Sequence, residues 1–437
     1  MEQAVKDISP KHSRIERFGL ESVPQDLRKT RWYEYTIIQI AFSVNAGNFL
    51  VPALAVLEGG LSFTAAFFSC VLGAMFAFIF VSLLSIPGAK NGIPSQFAIR
   101  TMVGIKGAKY ISSPIRTVTS LYWFSVQTIG GALVIQHLLQ KLFAISLPFF
   151  LIASILAIIM TILALIGFEA VKKATKYFMP ILLLGQGMMI YLLLRESNLI
   201  SSVETSSVAS NHISTMVFFA SLAFVQYVSG VSSSADITRY AVSPKEGFIG
   251  LFSGNVIGFI LTAFFGAYTA SLSGEWNPFV FTSNLSESYI VISIIMLAAI
   301  LSMISINLSN AYTGGFSLLN SLPKLGRVKA AILFGVFGIT FSLTPTFVDE
   351  AKQLISLLGG FVIPLSAVIV VDFIFKKKLN LNIDEVVPLY NKRAFYSIAL
   401  GMPLYFLLPE SLSPGFIAFL VTAVIYQLFL IGKRTDK

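Results

Sequence analysis

Charge is what this sequence has least of: Asp, Glu, Lys and Arg make up 12% of its 437 residues, against about 25% in soluble domains. With 55% hydrophobic residues and a mean hydropathy of +0.80, that shortage excludes an ordinary soluble domain and points to an integral membrane protein. Cysteine is nearly missing too. Cys70 is the only one and sits in a long apolar run, which leaves no internal disulfide and no Cys-based metal site. The three histidines, His12, His137 and His212, share no helical spacing, so no metal site is expected. The phosphate-binding pattern G-x-x-x-x-G-K-[ST] does not occur, and no polar insertion is long enough for a nucleotide-binding domain, which argues against an ATP-driven pump. No apolar run carries an Asp, His or Cys cluster, so an embedded enzyme would lack its groups. None carries a charge near its centre either. A charge at that depth costs at least about 2.5–3.5 kcal/mol, and a charged cargo would ordinarily be given a partner. A neutral cargo is therefore expected.

What the chain does have is apolar runs of membrane-crossing length. Twelve are read, at 35–57, 63–86, 113–140, 146–168, 177–195, 213–235, 247–272, 288–319, 328–346, 353–374, 394–409 and 413–432. The first 34 residues are a polar tail, not a charged start followed by a short apolar core, so no cleavable signal peptide is expected. With the N-terminus inside, 28 of the 31 Lys and Arg fall in the seven cytoplasmic segments, and only Lys141, Arg195 and Lys352 fall outside. That bias supports an even number of spans with both termini cytoplasmic. It also assigns the net charge of +10 to topology, because a nucleic-acid binder would gather such charge on one face.

Within span 1, Ser43-Val44-Asn45-Ala46-Gly47-Asn48 puts two side-chain amides and a glycine where no water can satisfy them. Such a break is tolerated only where it is buried in protein or lines a cavity. A second break, Gln226 to Ser234, stands in span 6. Interrupted runs at matching positions of two halves point to a transporter's binding site. Spans 1–5 (35–195) and 6–10 (213–374) can be laid over one another, and five being odd, the second set must run inverted. The segment 375–393 reads as a cytoplasmic loop, 394–432 as two spans outside the repeat, and 433–437 as a cytoplasmic tail. The Gly- and Pro-punctuated linker after span 2, from Pro87, is expected to hold a short interfacial helix.

Three constellations carry the chemistry. Trp123 and Gln127 are one turn apart on span 3, and an aromatic plane beside an amide can stack on a flat heterocycle and bond its edge. Core packing with a helix–helix hydrogen bond reads equally well. Gln226 and Tyr227 precede the span-6 break, where Gly and Ser free backbone groups for a ligand. Asp236 and Arg239 follow it, and read as a helix-end ion pair or an inner gate in preference to a substrate contact. Span 8 gathers Ser302, Ser305, Asn307, Ser309, Asn310, Tyr312 and Thr313, more polar groups than packing needs. Its hydroxyls could hold a small hard cation while the amides face a substrate.

At these residues the chain resembles the nucleobase:cation symporter family 1, which includes cytosine, purine, allantoin and hydantoin permeases. The resemblance is carried by Arg17 to Pro24, Gly60-Leu61-Ser62, Trp123 to Gln127, Ala235 to Tyr240, Asn307 to Thr313, and Ile363-Pro364 through Asp372-Phe373. It implies an all-α, leucine-transporter-like fold of twelve transmembrane helices: a five-plus-five inverted repeat and two C-terminal helices. It also implies a cargo held between spans 1, 3, 6 and 8. Trp123 would stack on the ring and Gln127 bond its edge. Gln226 and Tyr227 would contribute from span 6, Asn307 and Asn310 from span 8, and Asn45 and Asn48 from the span-1 break. Sodium, in family members that use it, is held by span-1 carbonyls, here near Ala46 and Phe49, and by span-8 hydroxyls, here Ser302 and Ser305. Sodium users resemble one another in having two adjacent span-8 hydroxyls, whereas Ser305 is followed by Ile306, so sodium, proton or no coupling stays open. The expected partners are a small neutral heterocycle and the lipid bilayer, with no cofactor, no nucleic acid and a monomeric functional unit. An amino-acid permease of the same fold is the alternative within transport, and an enzyme or a purely structural membrane protein lies further off.

Overall fold

The computed structural model describes residues 18–200, 212–383 and 386–431, and within them every regular element is helical. The tail through Arg17 and the C-terminal tail 433–437 lie outside the described residues. Among the described residues, eight helices are long and apolar enough to cross a bilayer, and the bent pair Trp32–Ser43 and Ala46–Leu57 makes a ninth. Shorter helices, Phe149–Ile166, Gly326–Phe341 and Lys392–Leu407, occupy the positions of spans 4, 9 and 11. Span 5 is longer than its apolar run predicts: its helix, Phe168–Ile200, takes in Lys172, Lys173 and Lys176 before the run begins. Lys172 forms an ion pair at 2.7 Å with Glu34, and such a pair holds long basic side chains at a span's end.

Both expected breaks are present. The two halves of span 1 meet at 60°, with Asn45 capping the second half by accepting from the Asn48 N–H at 3.0 Å. Span 6 runs as Ile213–Val228, a tight turn at Ser229–Ser232, and Ser234–Thr238. The packing is symmetric about them. Span 1 packs most heavily on span 7 and span 6 on span 2, while spans 3 and 8 pack on each other. Exchanging each span with its counterpart five positions on maps this set of contacts onto itself. The linker helices follow suit. Ile86–Asn91 and Ser95–Val103 join spans 2 and 3, and Pro278–Asn284, which hydropathy alone does not reveal, joins spans 7 and 8.

Span 1 reaches span 7, Pro244–Ser273, through a glycine stripe. A Cβ at Gly250, Gly254 or Gly258 would strike Trp32 and Tyr35, Thr36 and Gln39, or Ile40 and Ser43 respectively. Small residues every fourth position let two helix backbones approach where hydrocarbon provides no hydrophobic drive. The close approach also settles the break. Thr262 of span 7 donates to the freed Ser43 carbonyl at 2.8 Å, which leaves that group satisfied inside the bundle.

Candidate functional site

The site is assembled from the break outward. Freed carbonyls at Phe42 and Ser43 accept from the side-chain nitrogen of Asn48 at 3.3 and 2.8 Å, and the Asn45 side chain also donates to both. Gln127 of span 3 closes the other side. Its Oε1 accepts from the Gly47 N–H at 3.2 Å and its Nε2 donates to Asn45 Oδ1. A Cβ on Gly47 would run into that Gln127 amide, so glycine is what lets the two helices lock. Gln226 of span 6 donates through Nε2 to Asn48 Oδ1 at 3.2 Å. One chain of amides therefore joins spans 3, 1 and 6 across both breaks.

Beside this chain lies a cavity of about 150 Å³, a size that holds one six-membered ring. Its walls bring together Trp123, Gln127, Gln226, Tyr227, Asn48 and Asn310 among the residues singled out from sequence. Tyr227 is held edge-on between Phe78 and Phe259, at ring distances of 4.9 and 4.8 Å. Trp123 leans on Tyr122 at 5.0 Å. Both rings remain on the cavity wall. Tyr227 Oη and Gln226 Oε1 are buried and have no partner in the protein. Orphaned polar atoms of this kind cost about 1–3 kcal/mol each, and two further residues of the cavity lining, Arg116 and Ser234, carry one as well, at Nε and Oγ.

Several expected residues stand elsewhere. Asn307 is fully buried and does not reach the cavity. Its amide nitrogen is directed at the Phe124 carbonyl at 2.9 Å and Thr128 Oγ1 at 3.1 Å, and its oxygen takes the Asn310 amide at 3.0 Å. The span 3–8 contact is closed by this side chain, and Asn310, three residues on, presents the cavity face instead. Asn45 likewise serves the break and not the wall. Ser302 and Ser305 are buried and return their hydroxyl hydrogens to the Ala299 and Leu301 carbonyls, both at 2.8 Å. Ala46 and Phe49 are buried in the second half of span 1, off the cavity wall. Asp236 and Arg239 form no ion pair with each other among the described residues. Asp236 accepts from the Ser95 N–H at 2.7 Å. Arg239, fully buried, donates to the carbonyls of Gly19 at 3.2 Å and Glu21 at 2.7 Å, which ties the N-terminal segment to the end of span 6.

The cavity wall also carries a charged residue from near the start of span 3, Arg116. It donates to Thr313 Oγ1 at 3.0 Å, with no carboxylate within 4 Å among the described residues and Asp236 within electrostatic reach. Counted with the cytoplasmic linker, Arg116 looks like a snorkelling helix-end residue. It stands two helical turns before Trp123, however, and that spacing puts both on one face. Gln39, Asn255 and Ser309 also line the cavity. Asn255 is the one amide of its apolar run, and Gln39 stands less than two turns before the amides of the span-1 break, the signals that could have found them.

Two broken helices meeting at a small polar and aromatic cavity, inside a helical membrane protein, define a permease and not an enzyme. The chain belongs to the family of permeases for cytosine/purines, uracil, thiamine and allantoin, whose pattern matches residues 22–432. It is 23% identical to the allantoin permease of Bacillus subtilis, over 91% of this chain and 88% of that one. It is 21% identical to the cytosine permease of Escherichia coli, over 84% of this chain and 83% of that one. Among solved structures it superposes on Mhp1, a nucleobase-cation-symport-1 family transporter in a closed conformation with bromovinylhydantoin bound, with a TM-score of 0.79. The identity there is 18%, and the match covers 95% of this chain and 96% of that one. MhsT in complex with L-phenylalanine is more distant, with a TM-score of 0.60. The fold is thus the leucine-transporter-like one that the resemblance implied.

Proposed function

We propose that this chain imports a small flat heterocycle by alternating access, holding it at mid-membrane between Trp123 and Tyr227. The observation that carries this reading is the cavity where the two breaks meet, lined by the Trp123 and Tyr227 rings and by four residues that each hold an unpartnered buried polar atom, Arg116, Gln226, Tyr227 and Ser234. The residues 35–195 and 213–374 would be the two repeats that move against each other. The charge bias supports cytoplasmic termini, and the unit would act as a monomer. Asp236 and Arg239 would serve the inner gate, since Arg239 ties down the N-terminal segment. Relatives named for allantoin, hydantoin and cytosine delimit the class of cargo.

The test is a thermal-shift series on the purified protein with cytosine, uracil, adenine, allantoin, hydantoin and amino acids. A ligand that binds only the folded state at 100 times its Kd stabilises it by about 2.7 kcal/mol. At least one heterocycle should raise the unfolding temperature while amino acids leave it unchanged. A shift with amino acids alone would replace this reading by the amino-acid permease.

Coupling to sodium should be weak. A sodium ion would be a co-substrate here, and a small hard cation needs several oxygens placed around it. Ser302 and Ser305 keep lone pairs free for that. The next position is Ile306, whose side chain lines the cavity and supplies apolar bulk where a second adjacent hydroxyl would stand. Ligand affinity in sodium and in choline is expected to differ by less than about tenfold, or about 1.4 kcal/mol of coupling. A larger gain specific to sodium, lost in Ser305→Ala, would show that the remaining oxygens suffice.

A further inference from the structure

The amide chain that joins the breaks has a direction, and the direction reaches the cavity. Backbone carbonyls can only accept a hydrogen bond and backbone N–H groups can only donate. The Phe42 and Ser43 carbonyls therefore require the nitrogen of Asn48 to face them, and its oxygen is left facing span 6. That oxygen can only accept, so the nearer end of the Gln226 amide must be its nitrogen. The far end, Oε1, is then the end without a partner, buried, and part of a residue that lines the cavity. An isolated glutamine could turn either end to a ligand. This one cannot turn without setting oxygen against oxygen at Asn48.

We infer that Gln226 is a specificity-determining residue that reads a hydrogen-bond donor on the cargo, with Asn48 as the positioning residue that holds it to that task. The substrate class is thereby narrowed to heterocycles that present an N–H to span 6: a ring lactam, imide or ureide N–H, or an exocyclic amine. Rings that are N-alkylated at that edge, or offer only acceptors there, are rejected, because they leave Oε1 buried without a donor. Tyr227, the adjacent residue, carries a hydroxyl that can donate or accept, so it accommodates the neighbouring group on the ring and does not set the polarity. This inference rests on the reading of the cavity as a heterocycle site.

The test compares hydantoin, uracil and cytosine with their ring N-methyl derivatives, by dissociation constant, on the purified full chain and on Gln226→Met. Methionine keeps nearly the side-chain length and volume of glutamine but cannot accept as the amide does. In the unaltered protein, methylation at one particular nitrogen should weaken binding at least tenfold. In Gln226→Met that difference should fall below threefold, because the parent loses affinity while the methylated ring keeps its own. A merely steric rejection of the methyl group would survive in Gln226→Met, and its survival would overturn the inference while leaving heterocycle transport standing. Asn48→Leu provides the second arm, with Gln226 free to turn its amide nitrogen to the cargo. A ring of the same shape that carries an acceptor nitrogen in place of that N–H should then bind within threefold of the parent, whereas the unaltered protein should reject it at least tenfold. Undiminished rejection of the acceptor-only ring in a folded Asn48→Leu would remove the positioning role. No binding of any of these rings to the unaltered protein would instead overturn the heterocycle reading itself, and this inference with it.

Discussion

Trp123→Ala abolishes uptake while the protein remains folded in the membrane: that is the expected result, and the cavity wall explains it. Trp123 is half-buried, with one side leaning on Tyr122 and another on the cavity. Stacking of a base on an aromatic face contributes about 1–3 kcal/mol, so affinity should fall by roughly 5- to 150-fold, at about 1.4 kcal/mol per factor of ten. The same ring gives the ligand its plane, so a cargo bound without it would be poorly oriented as well as weakly held. Trp123→Phe should recover part of the loss, because a smaller aromatic face still stacks. Uptake and affinity near normal in Trp123→Ala, at normal membrane levels, would return this residue to core packing.

The largest effect on stability is expected from Gly73→Val. Gly73 lies in span 2, Phe63–Leu83, where that helix crosses span 6. A Cβ there would collide with the Ala220 carbonyl oxygen and come within 2.6 Å of its carbon and 2.8 Å of its Cα. Overpacking ordinarily costs about 1–3 kcal/mol because side chains can shift. Here the obstacle is main chain inside a helix, which cannot move alone, so the whole span 2–span 6 contact must open. A loss at or beyond the top of that range is expected, read as a lower unfolding temperature in detergent or as failure to accumulate. Gly187→Val is the control, since a Cβ at Gly187 meets nothing within 4 Å. Equal behaviour of the two variants would show that the close approach at Gly73 is not needed.

These two residues differ in how far the sequence announced them. Trp123 stood out as the one tryptophan deep in an apolar run, one turn from an amide. Gly73 carried no such mark, because a glycine in a transmembrane helix is common and only its neighbour gives it meaning. Asn307 and Asn310 make the same point within one helix. Both are amides in the same polar stretch, one turn apart. One is consumed by the Phe124 carbonyl and Thr128 of span 3, while the other reaches the cavity. Nothing in their spacing tells them apart. Arg116 was hidden by the opposite error: near a span end it counts as topology, yet its helical face carries it onto the cavity wall.

By itself, the sequence determined that this is a helical membrane protein with its helices broken at 43–48 and 226–234. Those are local properties: the sum of transfer free energies over about twenty residues, and the incompatibility of amides and glycine with an uninterrupted lipid-exposed helix. Which polar groups line the cavity was decided only by tertiary structure. The bonds that decide it join residues far apart in the chain, Gln127 to Asn45 across 82 positions and Gln226 to Asn48 across 178. A buried amide turns whichever end its partner demands, and no partner at that range can be read from the residues on either side of it.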